Sequence, residues 1–369
     1  MSELQDTVIR AERSWLVGIQ TDKVGKHEAG SLLQELHGLA STLGLEVVGE
    51  TPVRVRDRNP ALFVGTGKAD EIVLSATSAA ADSILFDHVL TPNQQRNLET
   101  LSGLKVYDRS ELIIRIFASR ALTKEASLQV ELAELEYALP RLAHSYMALS
   151  RQRGGRYGNK GKGEQKLELD RREIERRIHE IKEELKTVRK SRDTQRKRRE
   201  KVAVPRAAVV GYTNAGKSSL LNAMTRASVG AEDKLFATLD PTTRRISLSK
   251  GGVLLLTDTV GFVRNLPHHL VEAFKATLEE AVDADLLVEV VDASDPEFDR
   301  HMATTDQVLR DIGAGEVPRV LVLNKIDLVE DQSVRDGIEA GHPGAHLCSV
   351  KTGFGLGELL VAIEAGLGS

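Results

Sequence analysis

The chain has 369 residues, which predicts two or three domains, and 41% of them are hydrophobic, enough to bury a core. Its single cysteine excludes an internal disulfide framework and favours a reducing compartment. The N-terminus carries no export signal, and no apolar run approaches the ~20 residues that a bilayer span needs. We therefore expect a cytoplasmic protein without an integral membrane segment, although peripheral membrane association stays open.

Charge is unevenly distributed along the chain. Residues 151–206 hold 21 of the 50 basic residues but only 10 of the 54 acidic ones. That segment therefore carries a local charge of +11, while the rest of the chain carries −15. A basic element within an acidic chain predicts contact with a polyanion.

Residues 12–120 alternate between strand-like and helix-like patterns. Strands are predicted at 14–19, 45–48, 83–86 and 105–107, and helices at 31–43, 91–101 and 111–119. This alternation predicts a small α/β domain with a largely parallel sheet, over residues 1–122.

Within this domain, residues 64–70 resemble a fragment of a nucleotide-binding loop. Gly65, Gly67 and Lys68 are present, but the full spacing and a hydroxyl after Lys68 are missing. A plain strand-to-helix turn is the favoured interpretation. A second nucleotide site or an RNA phosphate site is the alternative. It would be excluded if the Lys68→Ala variant bound nucleotide and RNA as well as the wild type does.

Residues 123–204 predict a helical hairpin. Leucines and one tyrosine recur at alternating steps of four and three from Leu128 to Leu149, and a second such run extends from Ile174 to Val188. Pro140 should kink the first helix without ending it. Two complementary seams joined by a short glycine-rich segment predict a coiled-coil-like pair.

The joining segment, residues 153–163, contains five glycines, four cations and no acid. The alternatives are a solvated linker and a flexible, positive tip that meets phosphate backbones, with an aromatic ring free to stack on a base. The second is favoured because the charge lies where two helices would project it. The candidate RNA contacts are Arg153, Arg156, Tyr157, Lys160 and Lys162.

The clearest motif is a phosphate loop between an apolar strand (207–210) and a helix (219–224). Glycines let successive N–H groups point at a polyphosphate, with the positive helix end behind them. The lysine would reach the β- and γ-phosphates as a catalytic residue, and the following serine would ligate Mg²⁺. The predicted contacts are Gly211, Tyr212, Thr213, Asn214, Ala215, Gly216, Lys217 and Ser218.

Two segments downstream predict contacts to the γ-phosphate and Mg²⁺. The irregular stretch 231–243 supplies Thr238, our candidate catalytic residue and Mg²⁺ ligand, with Thr242 and Thr243 as rivals. An apolar strand at 253–257 then delivers an Asp-x-x-Gly turn, whose acid can hold Mg²⁺ through water and whose glycine N–H can meet the γ-phosphate. The turn is Asp258, Thr259, Val260 and Gly261, of which Gly261 is counted as catalytic.

A further strand, residues 319–323, delivers a base-recognition segment. A carboxylate there matches the two donors of guanine and would be left unpaired by adenine. The predicted contacts are Asn324, Lys325, Ile326 and Asp327, joined by Ser349, Val350 and Lys351 near guanine O6. With each motif at the carboxyl end of a predicted strand, residues 205–369 are identified as a GTP-binding domain.

The residue after Gly261 predicts slow intrinsic hydrolysis. Many GTPases carry a glutamine there that orients the attacking water, whereas this chain carries Phe262, whose side chain can neither donate nor accept a hydrogen bond. We expect a partner surface to supply the missing positioning, with ribosomal RNA as the natural candidate. His268 and His269 are less favoured substitutes.

Taken together, the phosphate loop, residues 236–244, residues 258–263, residues 324–327 and the Gly154-Gly155 pair resemble the HflX family of ribosome-associated GTPases. The resemblance covers nearly the whole chain. It implies an α/β P-loop GTPase domain preceded by a small α/β domain and a two-helix hairpin. It also implies a GTP-contacting switch segment, made of Phe236, Ala237, Thr238, Leu239 and Asp240.

For function, the resemblance implies GTP or GDP with Mg²⁺, binding to the large ribosomal subunit, and splitting of stalled ribosomes. ATP at the N-terminal domain is also implied. Residues 161–165 depart from the family's usual loop sequence, which affects the rRNA contact. We expect the chain to act as a monomer.

Two other functions stay open at this point. One is a GTP-gated RNA-binding switch without remodelling activity. The other is a GTP-dependent switch for a non-ribosomal protein or membrane partner. The first predicts ribosome binding without a change in subunit populations, and the second predicts no binding to ribosomes at all.

Overall fold

The computed structural model describes residues 10–22, 24–152, 160–199, 204–225, 235–248, 251–264 and 275–368. The chain divides into two compact units. Unit 1 comprises residues 1–116 and 134–177, and unit 2 comprises residues 117–133 and 178–369. No helix in the described ranges combines the length and the apolar character that crossing a bilayer requires.

Unit 1 contains a four-stranded sheet in the order β2-β1-β3-β4, in which every pair is parallel. Pro52, which has no N–H to donate, lies in the edge strand β2, where a proline is tolerated. The prediction of a parallel α/β fold is confirmed. Its strands are β1 (Arg13–Gln20), β2 (Glu46–Arg54), β3 (Ser83–Phe86) and β4 (Lys105–Asp108), and its helices are α1 (Lys26–Thr42), α2 (Thr66–Ser78), α3 (Pro92–Ser102) and α4 (Arg109–Arg120).

Helix α3 shows how local chemistry sets these boundaries. Thr91 caps the helix by accepting a hydrogen bond from the Gln94 N–H, and the Gln94 side chain accepts one from the Thr91 N–H in return. Pro92 follows at the first helical position, where its missing N–H costs nothing. The helix ends at Gly103, whose φ of 68° is a left-handed conformation that glycine adopts freely.

The hairpin consists of α5 (Lys124–Gln152) and α6 (Lys160–Arg199). Pro140 lies inside α5 without ending it, as predicted. Leu128 and Leu132 on α5 and Ile181 on α6 are buried, in agreement with the predicted seams. An ion pair of 3.3 Å joins Lys124 to Glu184.

The joining segment is shorter than predicted, because α6 already begins at Lys160. The helix-forming lysines and glutamates that follow outweigh the glycines, each of which costs only about 1 kcal/mol relative to alanine. Lys160 and Lys162 are therefore helical residues instead of loop residues. Arg153, Arg156 and Tyr157 lie outside the described residues.

Unit 2 contains a six-stranded sheet in the order β10-β9-β8-β5-β7-β6. All pairs are parallel except β6, which runs antiparallel to β7 at the edge. The strands are β5 (Arg206–Val210), β6 (Thr242–Ser247), β7 (Val253–Asp258), β8 (Leu286–Asp292), β9 (Arg319–Asn324) and β10 (His346–Leu347). The helices are α7 (Lys217–Thr225), α8 (Lys275–Val282), α9 (Phe298–Ile312), α10 (Gln332–Gly341) and α11 (Leu356–Gly366).

Thr242 and Thr243, the two rival candidates for the Mg²⁺ ligand, lie in strand β6. Thr242 and Thr243 open this strand, and Thr243 Oγ1 lies 2.9 Å from Thr257 Oγ1 on β7. Sequence reasoning missed the strand because residues 231–243 show no clear period. The Thr243 hydroxyl therefore contacts the neighbouring strand of the sheet.

Candidate nucleotide-binding site

The phosphate loop follows β5 and ends at α7, as predicted. Its two glycines are required by their surroundings. A Cβ on Gly211 would lie 2.1 Å from the Val290 carbonyl oxygen, and a Cβ on Gly216 would lie 2.3 Å from Asn324 Nδ2. Their φ angles of 139° and 98° are also ones that other residues rarely adopt. The loop is therefore built around backbone that only glycine fits.

Lys217 is held inside the loop. Its side chain is 6% exposed, and its Nζ donates a hydrogen bond of 2.7 Å to the Tyr212 carbonyl oxygen. Burial lowers the pKa of Lys217 to about 8, and the nearby Asp258 carboxylate opposes this shift. Because this ammonium is desolvated and little protein charge neutralises it, it should attract phosphate oxygens strongly.

Three predicted Mg²⁺-associated groups converge at one point. Ser218 Oγ lies 2.6 Å from Asp258 Oδ2, Thr238 Oγ1 lies 2.8 Å from the same oxygen, and the two hydroxyls are 2.8 Å apart. Asp258 Oδ1 is buried, with no hydrogen-bond partner in the described part of the chain. Hydroxyl and carboxylate oxygens with unused acceptor capacity suit a hard cation such as Mg²⁺.

No group of three or more His, Cys, Asp or Glu residues that could hold a metal occurs among the described residues. A magnesium ion here would thus rely on these few oxygens together with the phosphates of the nucleotide, as is usual for Mg²⁺. Ser218, Thr238 and Asp258 are therefore suitable residues to hold a magnesium ion.

The switch segment, residues 236–240, closes over the phosphate loop. The Phe236 N–H donates a hydrogen bond of 2.9 Å to Thr213 Oγ1, and Ala237 lines the cleft beside Thr238. Phe236 and Leu239 are each 2% exposed, so both anchor the segment in the core. The Asp240 carboxylate bonds instead to the Leu122 and Thr123 N–H groups, away from the phosphate loop.

The turn after β7 lies against the phosphate loop. A Cβ on Gly261 would lie 2.7 Å from Thr213 Cα and 2.9 Å from Lys217 Nζ, so this glycine permits a close approach. The Thr213 N–H donates to the Phe262 carbonyl oxygen, and the Phe262 N–H donates to that of Gly211. Thr259 Oγ1 donates to the Val209 carbonyl oxygen, and Val260 is buried beside it.

The Phe262 side chain points into the hydrophobic core. It is 2% exposed and packs with buried residues of β5, β8, α8 and α9. Its ring therefore neither lies in the phosphate cleft nor provides a hydrogen bond there.

The base-recognition end is organised by Asn324. Its Nδ2 donates a hydrogen bond of 2.9 Å to the Ala215 carbonyl oxygen, and its Oδ1 accepts one of 3.1 Å from the Val350 N–H. This one side chain thus ties the phosphate loop to the loop after β10. Its role is to position two binding segments relative to each other.

The other predicted base contacts surround Asn324. Lys325 adopts a φ of 61° and forms a 2.6 Å ion pair with Asp292, which places Asp327 in the short 3₁₀ turn that follows. Ile326 is buried, and Asp327 is half-buried. Ser349 is buried within the turn that presents Val350, and Lys351 is exposed.

Sequence reasoning missed several supporting residues. The Tyr212 hydroxyl accepts a hydrogen bond of 2.9 Å from the Arg264 N–H, and its ring stacks on His301 of α9 at 3.9 Å. Asp292, the partner of Lys325, ends strand β8, which the sequence analysis had not identified. Tyr212 occupies a free position of the motif, so no sequence signal marked this contact. His268 and His269 lie outside the described residues.

A phosphate loop, a closing switch segment, an Asp-x-x-Gly turn and a base-recognition segment meet at the carboxyl edge of one parallel sheet, and this arrangement defines a P-loop GTPase. Three family models match: GTP-binding GTPase N-terminal over residues 31–118, GTP-binding GTPase Middle Region over 120–199, and 50S ribosome-binding GTPase over 206–325.

Curated relatives extend the match over the chain. GTPase HflX of Akkermansia muciniphila is 49% identical over 98% of this chain and 85% of its own length. GTPase HflX of Escherichia coli K12 is 46% identical over 90% of this chain and 78% of its own length. The chain belongs to the HflX family, and it is a GTP-hydrolysing enzyme.

A solved structure supports the fold alone. SsGBP in complex with GDP is 24% identical, with a TM-score of 0.54 over 96% of this chain and 98% of that chain.

Proposed function

We propose that this GTPase binds the large ribosomal subunit through its N-terminal and hairpin regions and splits or remodels stalled ribosomes, with hydrolysis stimulated by the ribosome. Membership of the HflX family and the match to a model described as a 50S ribosome-binding GTPase support the choice of partner. The +11 charge of residues 151–206 supports contact with rRNA.

The burial of Phe262 is the main support for the proposal that a partner stimulates hydrolysis. Since this ring packs in the core, the position that often orients the attacking water contributes nothing to the cleft. A partner that supplies such positioning accelerates other GTPases by roughly 10³ to 10⁵. The ribosome takes that role here.

The chain's own residues bind and orient the nucleotide. Lys217 pairs its buried ammonium with the β- and γ-phosphate oxygens, and the Gly261 N–H meets the γ-phosphate. Asp327 accepts hydrogen bonds from guanine, while Asn324 holds the base and phosphate loops in register. Mg²⁺, when held by Ser218 and Thr238 with Asp258 beside them, supplies neutralisation of phosphate charge.

The test is a sucrose-gradient profile of ribosomes incubated with the protein and GTP, a non-hydrolysable GTP analogue or GDP. The full chain with GTP or the analogue should shift intact ribosomes towards free subunits. Deletion of residues 154–163 should abolish the shift.

A matched control is the double variant Arg171→Gln and Arg172→Gln, which removes two exposed cations of α6 that already pair with Glu175 and Glu168. It should split ribosomes like the wild type if the tip, and not general positive charge, makes the contact. Binding without a change in subunit populations would contradict remodelling and favour a GTP-gated RNA switch. No co-sedimentation at all would favour a non-ribosomal partner.

A further inference from the structure

The switch segment contacts residues 117–123, which lead into the hairpin, at two points. Thr238, which faces Ser218 and Asp258, lies midway between Phe236 and Asp240. Phe236 packs on Phe117 near the end of α4, and Asp240 bonds to residues 122 and 123 just before α5. The Mg²⁺-facing threonine is thus flanked on both sides by contacts to residues 117–123.

The Asp240 carboxylate, from another part of the chain, binds Thr123, the residue that caps α5. It accepts hydrogen bonds from the Leu122 N–H at 2.9 Å, from the Thr123 N–H at 3.1 Å and from the Thr123 hydroxyl at 2.5 Å. That hydroxyl in turn accepts a bond from the Ala126 N–H at 3.1 Å. The carboxylate thus holds the Thr123 hydroxyl towards the first turn of α5, and its negative charge opposes the positive end of the helix dipole.

The Phe236 contact is equally specific. Its ring meets Phe117 edge to face, with centroids 4.8 Å apart and an interplanar angle of 77°. Both rings are nearly fully buried. Phe236 also adopts a φ of 55°, a conformation that a bulky residue keeps only when its surroundings hold it there. Here those surroundings are Phe117 and the Thr213 hydroxyl.

We propose that Asp240 is a positioning residue that stabilises the closed arrangement of Thr238 through residues 117–123 and so raises the preference of this enzyme for GTP over GDP. A γ-phosphate with Mg²⁺ needs Thr238 beside Ser218, whereas GDP does not require that arrangement. A contact that stabilises only the closed segment therefore strengthens GTP binding selectively.

This inference rests on GTP binding and hydrolysis and is independent of the ribosomal partner. By reciprocity, GTP must strengthen the contact between Asp240 and the start of α5 by the same factor by which that contact strengthens GTP binding. The bound nucleotide would then change the stability of the hydrogen bonds just before the first turn of α5.

The test is titration calorimetry of the full chain with a non-hydrolysable GTP analogue plus Mg²⁺, and separately with GDP. Asp240→Ala should lower the affinity ratio of analogue to GDP by about fivefold, as expected for loss of the hydrogen bonds to Leu122 and Thr123. Asp240→Asn should retain most of the ratio, since the asparagine Oδ1 still accepts hydrogen bonds from the Leu122 and Thr123 N–H groups.

Asp331→Ala is the matched control. Asp331 caps α10 by accepting bonds from the Ser333 N–H and hydroxyl, so this variant also loses carboxylate hydrogen bonds to an N–H and a hydroxyl, at a helix start outside the switch segment. It should lose stability without a change in the affinity ratio. An unchanged ratio in Asp240→Ala, or an equal fall in Asp331→Ala, would overturn the proposal.

Hydrogen exchange provides a second readout. In the wild type, the amides of Leu122 and Thr123 should exchange more slowly with the GTP analogue than with GDP, and Asp240→Ala should abolish the difference. Identical exchange in the two nucleotide states of the wild type would also overturn the proposal.

Discussion

The chain contains two glycine-lysine loops at helix starts, and they differ in what surrounds them. In the loop before α7, Gly211 and Gly216 leave no room for a Cβ, and Lys217 is buried. At the start of α2, a Cβ added to Gly65 or Gly67 would meet no described atom from another part of the chain within 4 Å. Lys68 is 39% exposed and forms a 2.6 Å ion pair with Glu71.

These surroundings distinguish a phosphate loop from an ordinary helix start. Glycine matters where neighbouring backbone presses against the loop, and lysine matters where burial keeps its charge available for a ligand. At Lys68 both conditions fail, because Glu71 already neutralises an exposed ammonium. The preference for a plain helix start at residues 64–70 therefore has a structural basis, although the ATP prediction stays a prediction.

The largest expected effect separates the two lysines. Lys217→Ala should lower the affinity for GTP and GDP by at least about 100-fold, because it removes charge-assisted hydrogen bonds in a desolvated site. Lys68→Ala should change that affinity by less than about twofold. Titration calorimetry on both full-length variants checks this, and a large loss in Lys68→Ala would break the comparison.

The glycines should separate the loops in stability. Gly216→Ala places a Cβ 2.3 Å from Asn324 Nδ2 at a φ of 98°, and we expect a loss of about 2–3 kcal/mol in the free energy of unfolding. Gly67→Ala, in the open first turn of α2, should instead gain up to about 1 kcal/mol. Urea unfolding measures both changes, provided that the unfolding free energy of each variant depends on urea concentration as it does in the wild type. Similar changes in unfolding free energy for the two variants would contradict this expectation.

The burial of Lys217 also predicts a pH dependence. Its pKa in the nucleotide-free protein is lowered to about 8, and bound phosphates favour the charged form. Affinity should therefore be level below pH 8 and fall as pH rises through it, by about tenfold between pH 7 and pH 9.

Lys217→Arg is the control for this pH dependence. An arginine stays charged throughout, so any fall that it retains reports deprotonation of the guanine base. A wild-type profile that matches the Lys217→Arg profile would show that the lysine does not titrate in this range.

The smallest effect concerns the support of the loop. Tyr212→Phe keeps the ring that stacks on His301 but removes the hydroxyl that accepts from the Arg264 N–H. We expect a loss of about 1 kcal/mol in stability, with nucleotide affinity within about twofold of the wild type. Thermal unfolding and calorimetry together test this, and a large loss of affinity at unchanged stability would assign Tyr212 to direct nucleotide contact.

Sequence predicted those parts of the fold that depend on short-range patterns. The α/β alternation of residues 12–120, the helix near 91–101, the buried seam positions Leu128, Leu132 and Ile181 and the strand-loop-helix at 206–225 agree with the structure. Strand β6 was missed because a sheet edge, and not its own periodicity, determines its conformation.

The candidate site was predictable where a motif fixes the residue type, as at Lys217, Ser218, Asp258 and Asn324. Contacts between distant segments were not predictable. Asp240 was expected at the nucleotide, yet its carboxylate bonds to residues 122 and 123, and no local pattern marks a hydrogen-bond partner 117 residues away. The stacking of Tyr212 on His301 was not predictable either, because the two residues are far apart in the sequence.

The central claim is that the carboxyl edge of the sheet in unit 2 binds guanine nucleotides through Asp327. Titration calorimetry of wild type and Asp327→Asn with GTP, xanthosine triphosphate and ATP tests it most directly. The wild type should prefer GTP and Asp327→Asn should prefer xanthosine triphosphate, because the amide can both accept from N1–H and donate to the O2 that replaces the guanine amino group. A variant that keeps the wild-type preference for GTP, or a wild type that binds ATP more tightly at this site, would contradict it.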